Sequence, residues 1–454
     1  MSDTANIQLG GNQYPLLGRG EYDAIIFGLG FRECLVASLL IKAKKKVLII
    51  SKKQSFNWDN TSFDLLKLFR RYREEEPTEE DFESLGSNKD YHIDLIPKVI
   101  LSYGKMMNLF HEIGLDDKLS LETINMHMAY SGRNKRVYKL PSSPEDANRS
   151  NLLSMIQRMH CKALLQAIED KSKHSRSSSD SVLIHSSSSL SQSSTVSMED
   201  IYEKYGISEG SRGFLGHGMA LYGNDEYLEE SPKETCSRIR QYMKTVSEKG
   251  SPFVYPRMGK QQLCSLLKDH LEEKKEYCDI MLQQLSKQLV FENDSVAGVV
   301  VGEKAARAPV VIGDSTWFRD DRQKKIGKVV RSICLLNHPI EGCESGASSV
   351  IGFFKKQLVK AGYKVHDSDI NALCLSWKMK VCPKGIYVVI LSTTVETQKA
   401  SKELKPAIDL LGNILEQFDS VTTLYRNKKA TRKQGIHIFR SLDASVTLES
   451  VAED

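Results

Sequence analysis

Closely spaced cysteine pairs are missing from this chain. Its nine cysteines, at 34, 161, 236, 264, 278, 334, 343, 374 and 382, are scattered and odd in number, with no CxxC. This spacing argues against a zinc ribbon or a thioredoxin-like centre and fits a reducing compartment. Long apolar runs are missing as well. None approaches the roughly 20 residues that span a bilayer, and Met1 to Gly20 is polar where a signal peptide would be apolar. The C-terminus carries no prenylation cysteine. Charge of one sign is barely in excess, with 63 basic against 58 acidic side chains and a net charge of +5. With no common stripe of basic and aromatic residues, nucleic-acid binding has little support. The chain reads as cytoplasmic.

Catalytic constellations are equally scarce. No Ser-His-Asp or Cys-His arrangement can be assembled from local spacing. His217, between Gly216 and Gly218, has no second ligand at metal spacing and reads as a packed or capping histidine, so no metal site is expected.

What is present begins with Glu21 to Ser51. Asp23 to Phe27 is a short apolar run of the kind a parallel sheet buries on both faces, Gly28-Leu29-Gly30 turns sharply into a helix, and Val47 to Ile50 is a second strand. This is a βαβ unit. A dinucleotide would need an open turn at the helix N-terminus, a small third residue in GxGxxG, and an acid after the second strand. Here the third position is Glu33, and the second strand ends on Ser51, Lys52 and Lys53. Gly28, Gly30 and Glu33 therefore read as a vestigial dinucleotide turn with no cofactor.

With 454 residues, 40% hydrophobic and 27% charged, the chain has room for two or three domains. Helical stripes are expected over Ser62 to Arg73, Val99 to Ile113 with Gly104 inside, and Asn151 to Ile168. Further helices are expected over Pro232 to Glu248, Gln261 to Lys274 and Glu403 to Phe418. Met126 to Pro141 alternates around Ser131-Gly132 as a hairpin. Strands near Val290, Val296 to Val301, Ala308 to Ile312 and Val329 to Leu336 suggest an antiparallel layer, and Gly385 to Thr394 another buried strand. Alternation after Asp419 is weak. The serine-rich stretch 171–197 is too poor in large apolar residues to pack and reads as disordered. The expected architecture is α/β: a discontinuous Rossmann-like, FAD/NAD(P)-type sheet domain with an inserted helical domain. Its divisions are an N-terminal extension at 1–20, the sheet domain at 21–141 and 249–454, and the helical domain at 142–248.

Six collinear blocks resemble the Rab GDP dissociation inhibitor family and its relative, the Rab escort protein. They are EYDAIIFGLGFREC at 21–34, YHIDLIPKVILSYGK at 91–105, VYKLPS at 137–142, GHGMALYGNDEYLE at 216–229 with ETCSRIRQYMKTVSEKGSPFVYP at 234–256, VVRSICLLNHPI at 329–340, and YVVILSTTVET at 387–397. The resemblance implies a non-enzymatic, monomeric carrier that binds a doubly prenylated Rab GTPase in its GDP form. Such a carrier slows nucleotide release and lifts the Rab from membranes, so a transient membrane contact is implied. The sheet domain would offer a Rab-binding platform. The family's platform positions fall on Gln262, Asp269 and Met281, and Phe56 is the nearest aromatic to its aromatic turn. The arginine of the pattern is thus an acid at Asp269. The helical domain would shelter the geranylgeranyl groups, with Leu152, Met155, Met159 and Leu164 as candidate cavity residues. An escort role in prenylation is the first alternative within the family. A flavin-dependent oxidoreductase is the alternative outside it.

Overall fold

Ala24–Phe27 and Val47–Ile50 are apolar at every position, and all eight residues are buried. A strand buried on both faces belongs in a parallel sheet. These two lie at the centre of one, in the order Cys278–Met281, Val47–Ile50, Ala24–Phe27, Val311–Gly313, Ile436–Ile438, with every pairing parallel. Helix Phe31–Lys42 makes the first crossover, and helix Lys260–Glu273 shares its core through Cys34, Leu35, Leu263 and Leu267. The computed structural model describes residues 5–52, 62–74, 77–174, 196–284, 287–318, 322–363, 367–428 and 434–454.

A second sheet of seven strands runs Arg136–Lys139, Met126–Ser131, Ser349–Phe353, Ile370–Ser376, Tyr387–Thr394, Gln323–Leu336, Glu416–Asn427. Its centre is apolar on both faces, so it feeds two cores. A third sheet pairs the hairpin Asn6–Leu9 and Asn12–Glu21 with the meander Gln288–Glu292, Ser295–Val301 and Lys304–Arg307. Between Pro144 and Lys249 every regular element among the described residues is helical. Those helices surround a core of their own that includes Leu164, Tyr202, Phe214 and Tyr242.

Several expected elements come out differently. The stretch before Glu21 forms strands of the third sheet, because alternation in Ile7 and Leu9 lets the hairpin bury one face. The expected antiparallel layer is distributed over three sheets: Val311–Gly313 joins the parallel sheet, and Gln323–Leu336 the seven-stranded one. The helix expected from Val99 begins only at Lys105. Ile100–Leu101 is a strand paired with Phe253–Pro256, and Gly104 is the N-cap of helix Lys105–Glu112. The closing helix stops at Leu411, where Gly412 at φ +75° reverses the chain. From Glu416 the chain becomes an edge strand paired along Gln323–Leu336. Phe56 and residues 175–195 of the serine-rich stretch lie outside the described residues.

Candidate functional site

Ligands of doubly wound sheets bind at the carboxyl ends of the strands, beside the first glycine turn. Here Gly28 has φ +117°, and Gly30 caps helix Phe31–Lys42 without a side chain. The Glu33 carboxyl folds back over this turn and fills it. A Cβ on Gly30 would fall 2.3 Å from Glu33 Oε2, and one on Gly28 3.2 Å from Oε1. A side-chain carboxyl thus takes the place that a pyrophosphate would need at the helix N-terminus. Burial pushes the Glu33 pKa up, against the opposing pull of Arg32 and of the Glu33 and Gly30 backbone. Ser51, where a ribose-binding acid would stand, is tied into the sheet: its N–H donates to the Met281 carbonyl, and its carbonyl accepts from Gln284.

The mouth beyond the turn is roofed. Phe27 stacks on Trp317 with centroids 5.3 Å apart and meets Phe318 edge-on at 5.9 Å. The Lys287 ammonium lies 4.1 Å from the Phe27 centroid, and Lys52 4.5 Å from that of Trp317. Burial, with the nearby charges of Arg322 and Lys52, lowers the Lys287 pKa to about 8. These residues do not fit a dinucleotide.

The expected platform stands on helix Lys260–Glu273, which is set by a buried acid that sequence reasoning missed. Asp94 accepts from the Lys260 N–H at 3.0 Å and from the hydroxyls of Ser62 and Tyr255. Lys260 Nζ donates to the Ile96 carbonyl. Burial raises the Asp94 pKa against the opposing charge of Lys260. Gly259, at φ +76°, lets this acid approach: a Cβ there would lie 2.9 Å from Asp94 Oδ1. The readable signal was an aspartate in the apolar run of Ile93 to Pro97, where an unpaired acid would be costly. Gln262, two residues along the helix, turns its amide to Ser120, donating to the carbonyl at 3.0 Å and accepting from the N–H at 3.1 Å. Asp269 is exposed. Met281 ends the adjoining strand, half-buried. Their chain neighbours Lys268 and Ile280 line a groove of about 630 Å³ with Arg19, Leu271 and Glu272. Neither Asp269 nor Met281 lines this groove itself: Ile280 faces it, and Met281, the next residue of the strand, packs on the other face against the core of Leu17, Tyr22 and Val299, while Gln262 is engaged within the protein.

The four candidate cavity residues do not share a surface. Leu152 and Leu164 are buried in the helical core. Met155 and Met159 are 80% and 56% exposed on the first turns of helix Met155–His174, with Ile156 between them. An i, i+4 pair lies on one helix face, so the two methionines form an open apolar patch.

His217 is packed, as expected, and it is also ion-paired between units. Its Nδ1 lies 2.5 Å from Asp369 on the seven-stranded side, and its Nε2 3.1 Å from Asp225. Burial lowers its pKa, but the bonds to Asp225 and Asp369 outweigh this and raise it to about 10. Among the described residues, no His, Cys, Asp and Glu cluster could hold a metal ion, and no helix is long and apolar enough to cross a membrane.

Comparison with known proteins adds the last observations. A family model described as GDP dissociation inhibitor matches residues 19–454. The probable secretory pathway GDP dissociation inhibitor 1 of Schizosaccharomyces pombe is 32% identical over 437 residues, covering 96% of this chain and 94% of that one. The Rab GDP-dissociation inhibitor of Saccharomyces cerevisiae is 31% identical over 439 residues, with 96% and 93% covered. The crystal structure of a Rab GDI from Plasmodium falciparum superposes with a TM-score of 0.84 at 28% identity, covering 96% of each chain. An oxidoreductase from Methanosarcina mazei, with a TM-score of 0.53 at 13% identity, shares the fold alone. On the match across residues 19–454, the chain belongs to the GDP dissociation inhibitor family.

Proposed function

We propose that the protein is a carrier for a Rab GTPase: it binds the GDP form, slows GDP release and takes the prenylated Rab from one membrane to another. The observation that carries this reading is the end-to-end match to relatives named as Rab GDP-dissociation inhibitors. The filled glycine turn supports it from the other side, because Glu33 leaves no room for the flavin that a related fold would use. The protein would then work without catalysis, as a monomer in the cytoplasm that touches membranes transiently.

In this reading the sheet domain, 21–141 with 249–454, presents Asp269 and Met281 to the GTPase. Gln262 serves as a support, held on Ser120. The helical domain, 142–248, takes the geranylgeranyl chains. A buried CH₂ contributes roughly 0.8 kcal/mol, so a twenty-carbon chain needs shelter on the order of ten kcal/mol to leave a bilayer. The Met155, Ile156 and Met159 face is the exposed apolar surface on the helical domain from which such shelter could start. Leu152 and Leu164 lie behind it in the core.

The test is extraction of a prenylated, GDP-loaded Rab from liposomes by the purified protein, with an absorbance spectrum of the same sample. Extraction without flavin absorbance is the expected result. Failure across a Rab panel, together with a flavin spectrum, would sink the proposal. Met155→Asp with Met159→Asp should reduce extraction at least tenfold while leaving GDP-Rab binding through the sheet domain intact.

A further inference from the structure

The strand Gln323–Leu336 pairs with Tyr387–Thr394 only from Val329 onward, whereas its pairing with Glu416–Asn427 continues to Gln323. Residues 323–328 and 423–427 therefore extend past the sheet as a two-stranded ribbon. Across 322–328 and 422–428 the sequence places six cations, Arg322, Lys324, Lys325, Lys328, Arg426 and Lys428, and no acid. Arg322 is half-buried and the other five are exposed. Apolar side chains lie among them in the open: Ile326 is 49% exposed, and Val421 at the ribbon's base 51%.

Edge strands carry charge to discourage pairing with other chains, and Arg426 and Lys428 fit that role. In a two-stranded ribbon both strands are edges, so Lys324, Lys325 and Lys328 fit it too; what edge protection does not call for is exposed Ile326 and Val421 among them. The electropositive surface also continues inward. Arg322 lies over Phe291, itself partly exposed, and its charge reaches Lys287 at the roofed mouth of the parallel sheet.

We propose that this ribbon docks the protein on an anionic lipid surface. Clustered cations gain energy near such a surface, and the apolar side chains among them enter the interfacial layer. A two-stranded ribbon can also enter a nucleic-acid groove, but the amides that could read bases are engaged here. Gln323 Nε2 donates to Asn427 Oδ1 at 2.7 Å, and Asn427 Nδ2 donates to the Ile438 carbonyl. Exposed isoleucine and valine also have no partner in a phosphate backbone. The ribbon would hold the carrier at the bilayer while its Rab is exchanged; the docking itself needs no Rab.

The test is flotation of the full-length protein, without Rab, on phosphatidylcholine vesicles with and without phosphatidylserine. Binding should need phosphatidylserine and weaken with salt. Lys324→Glu with Lys325→Glu should reduce it by on the order of a hundredfold, and Ile326→Ser by a few-fold with the salt dependence unchanged. Circular dichroism would show that the variants fold. Equal binding to neutral vesicles, absence of binding to either, or tighter binding to duplex DNA than to phosphatidylserine would each overturn the proposal. Loss of vesicle binding by the lysine variant with GDP-Rab binding in solution retained would separate this surface from the Rab platform.

Discussion

Two helices of the sheet domain start in the same way and are completed in opposite ways. Gly30 caps Phe31–Lys42 at φ −85°, ψ 177°, and Gly104 caps Lys105–Glu112 at φ −86°, ψ 175°. Neither glycine offers a side-chain oxygen, so each helix presents unsatisfied N–H groups and a positive dipole end. At the first, the carboxyl comes from within the helix, three residues on, as Glu33. At the second it comes from Glu449, whose Oε2 accepts from the Lys105 N–H at 2.7 Å across 344 residues of chain. A turn suited to binding an external phosphate is satisfied internally in both cases. The difference is that the second cap also fastens the C-terminal segment, which Lys98 grips at Asp443 and Ser445 as well.

The largest effect should come from breaking the local cap. Glu33→Ala removes a buried carboxyl, leaves the glycine turn empty and strips the helix N-terminus. The expected cost is about 2–3 kcal/mol, read as a lower urea midpoint at unchanged slope. If the void instead restores a nucleotide site, the variant will gain affinity for ADP, which titration calorimetry would detect. Glu449→Ala should cost less, about 1 kcal/mol, because Glu449 is less deeply placed and the segment keeps its other anchors. Its signature is local: faster amide hydrogen exchange at Lys105 and Met106, with no change at Phe31 to Glu33.

The charge of Glu33 sharpens the comparison further. Burial holds its folded pKa above the ordinary 4.5. Its contribution to stability is therefore complete below pH 4.5 and is lost as pH rises through the folded value. Glu33→Gln keeps the shape without the ionisation. The variant should be slightly less stable than the parent in acid and should gain on it as pH rises. A parallel offset at all pH values would show that ionisation of Glu33 plays no part.

The same pair shows why some of the structure was legible and some was not. Glu33 was readable because it stands three residues from the glycine it covers, and its conflict with a phosphate is evident from charge and size alone. The parallel core was readable for a similar reason: runs such as Val47 to Ile50 leave only one environment that buries both faces. Gly104 was read as interior to a helix, since periodicity around it continues and its cap lies at the other end of the chain. Asp94 was hidden in the same sense, its partners Tyr255 and Lys260 being more than 160 residues away. The exposed methionines and the buried leucines of the helical domain share one period, so periodicity alone did not separate an open patch from a core. The ribbon strand after Glu416 was masked by polarity, because an edge strand with few buried residues shows little alternation.

Gly104→Ser tests whether the distant cap is a substitute for a local one. Serine at an N-cap would satisfy the helix itself, worth roughly a few tenths of a kcal/mol over glycine, and the backbone at −86°, 175° accepts it without strain. In the native background, however, a Cβ at Gly104 would meet Glu449 Oε1 at 2.2 Å, so the carboxyl must withdraw. The single substitution should therefore be close to neutral in stability while accelerating exchange in the C-terminal turn Glu449–Ala452. Combined with Glu449→Ala, where the space is free, the serine should recover part of the loss. Recovery would mean that the helix requires only an acceptor at its N-terminus. If the double variant remains as unstable as Glu449→Ala, the contribution of Glu449 lies in fastening the C-terminal segment, and the two glycine-capped helices differ in purpose as well as in construction.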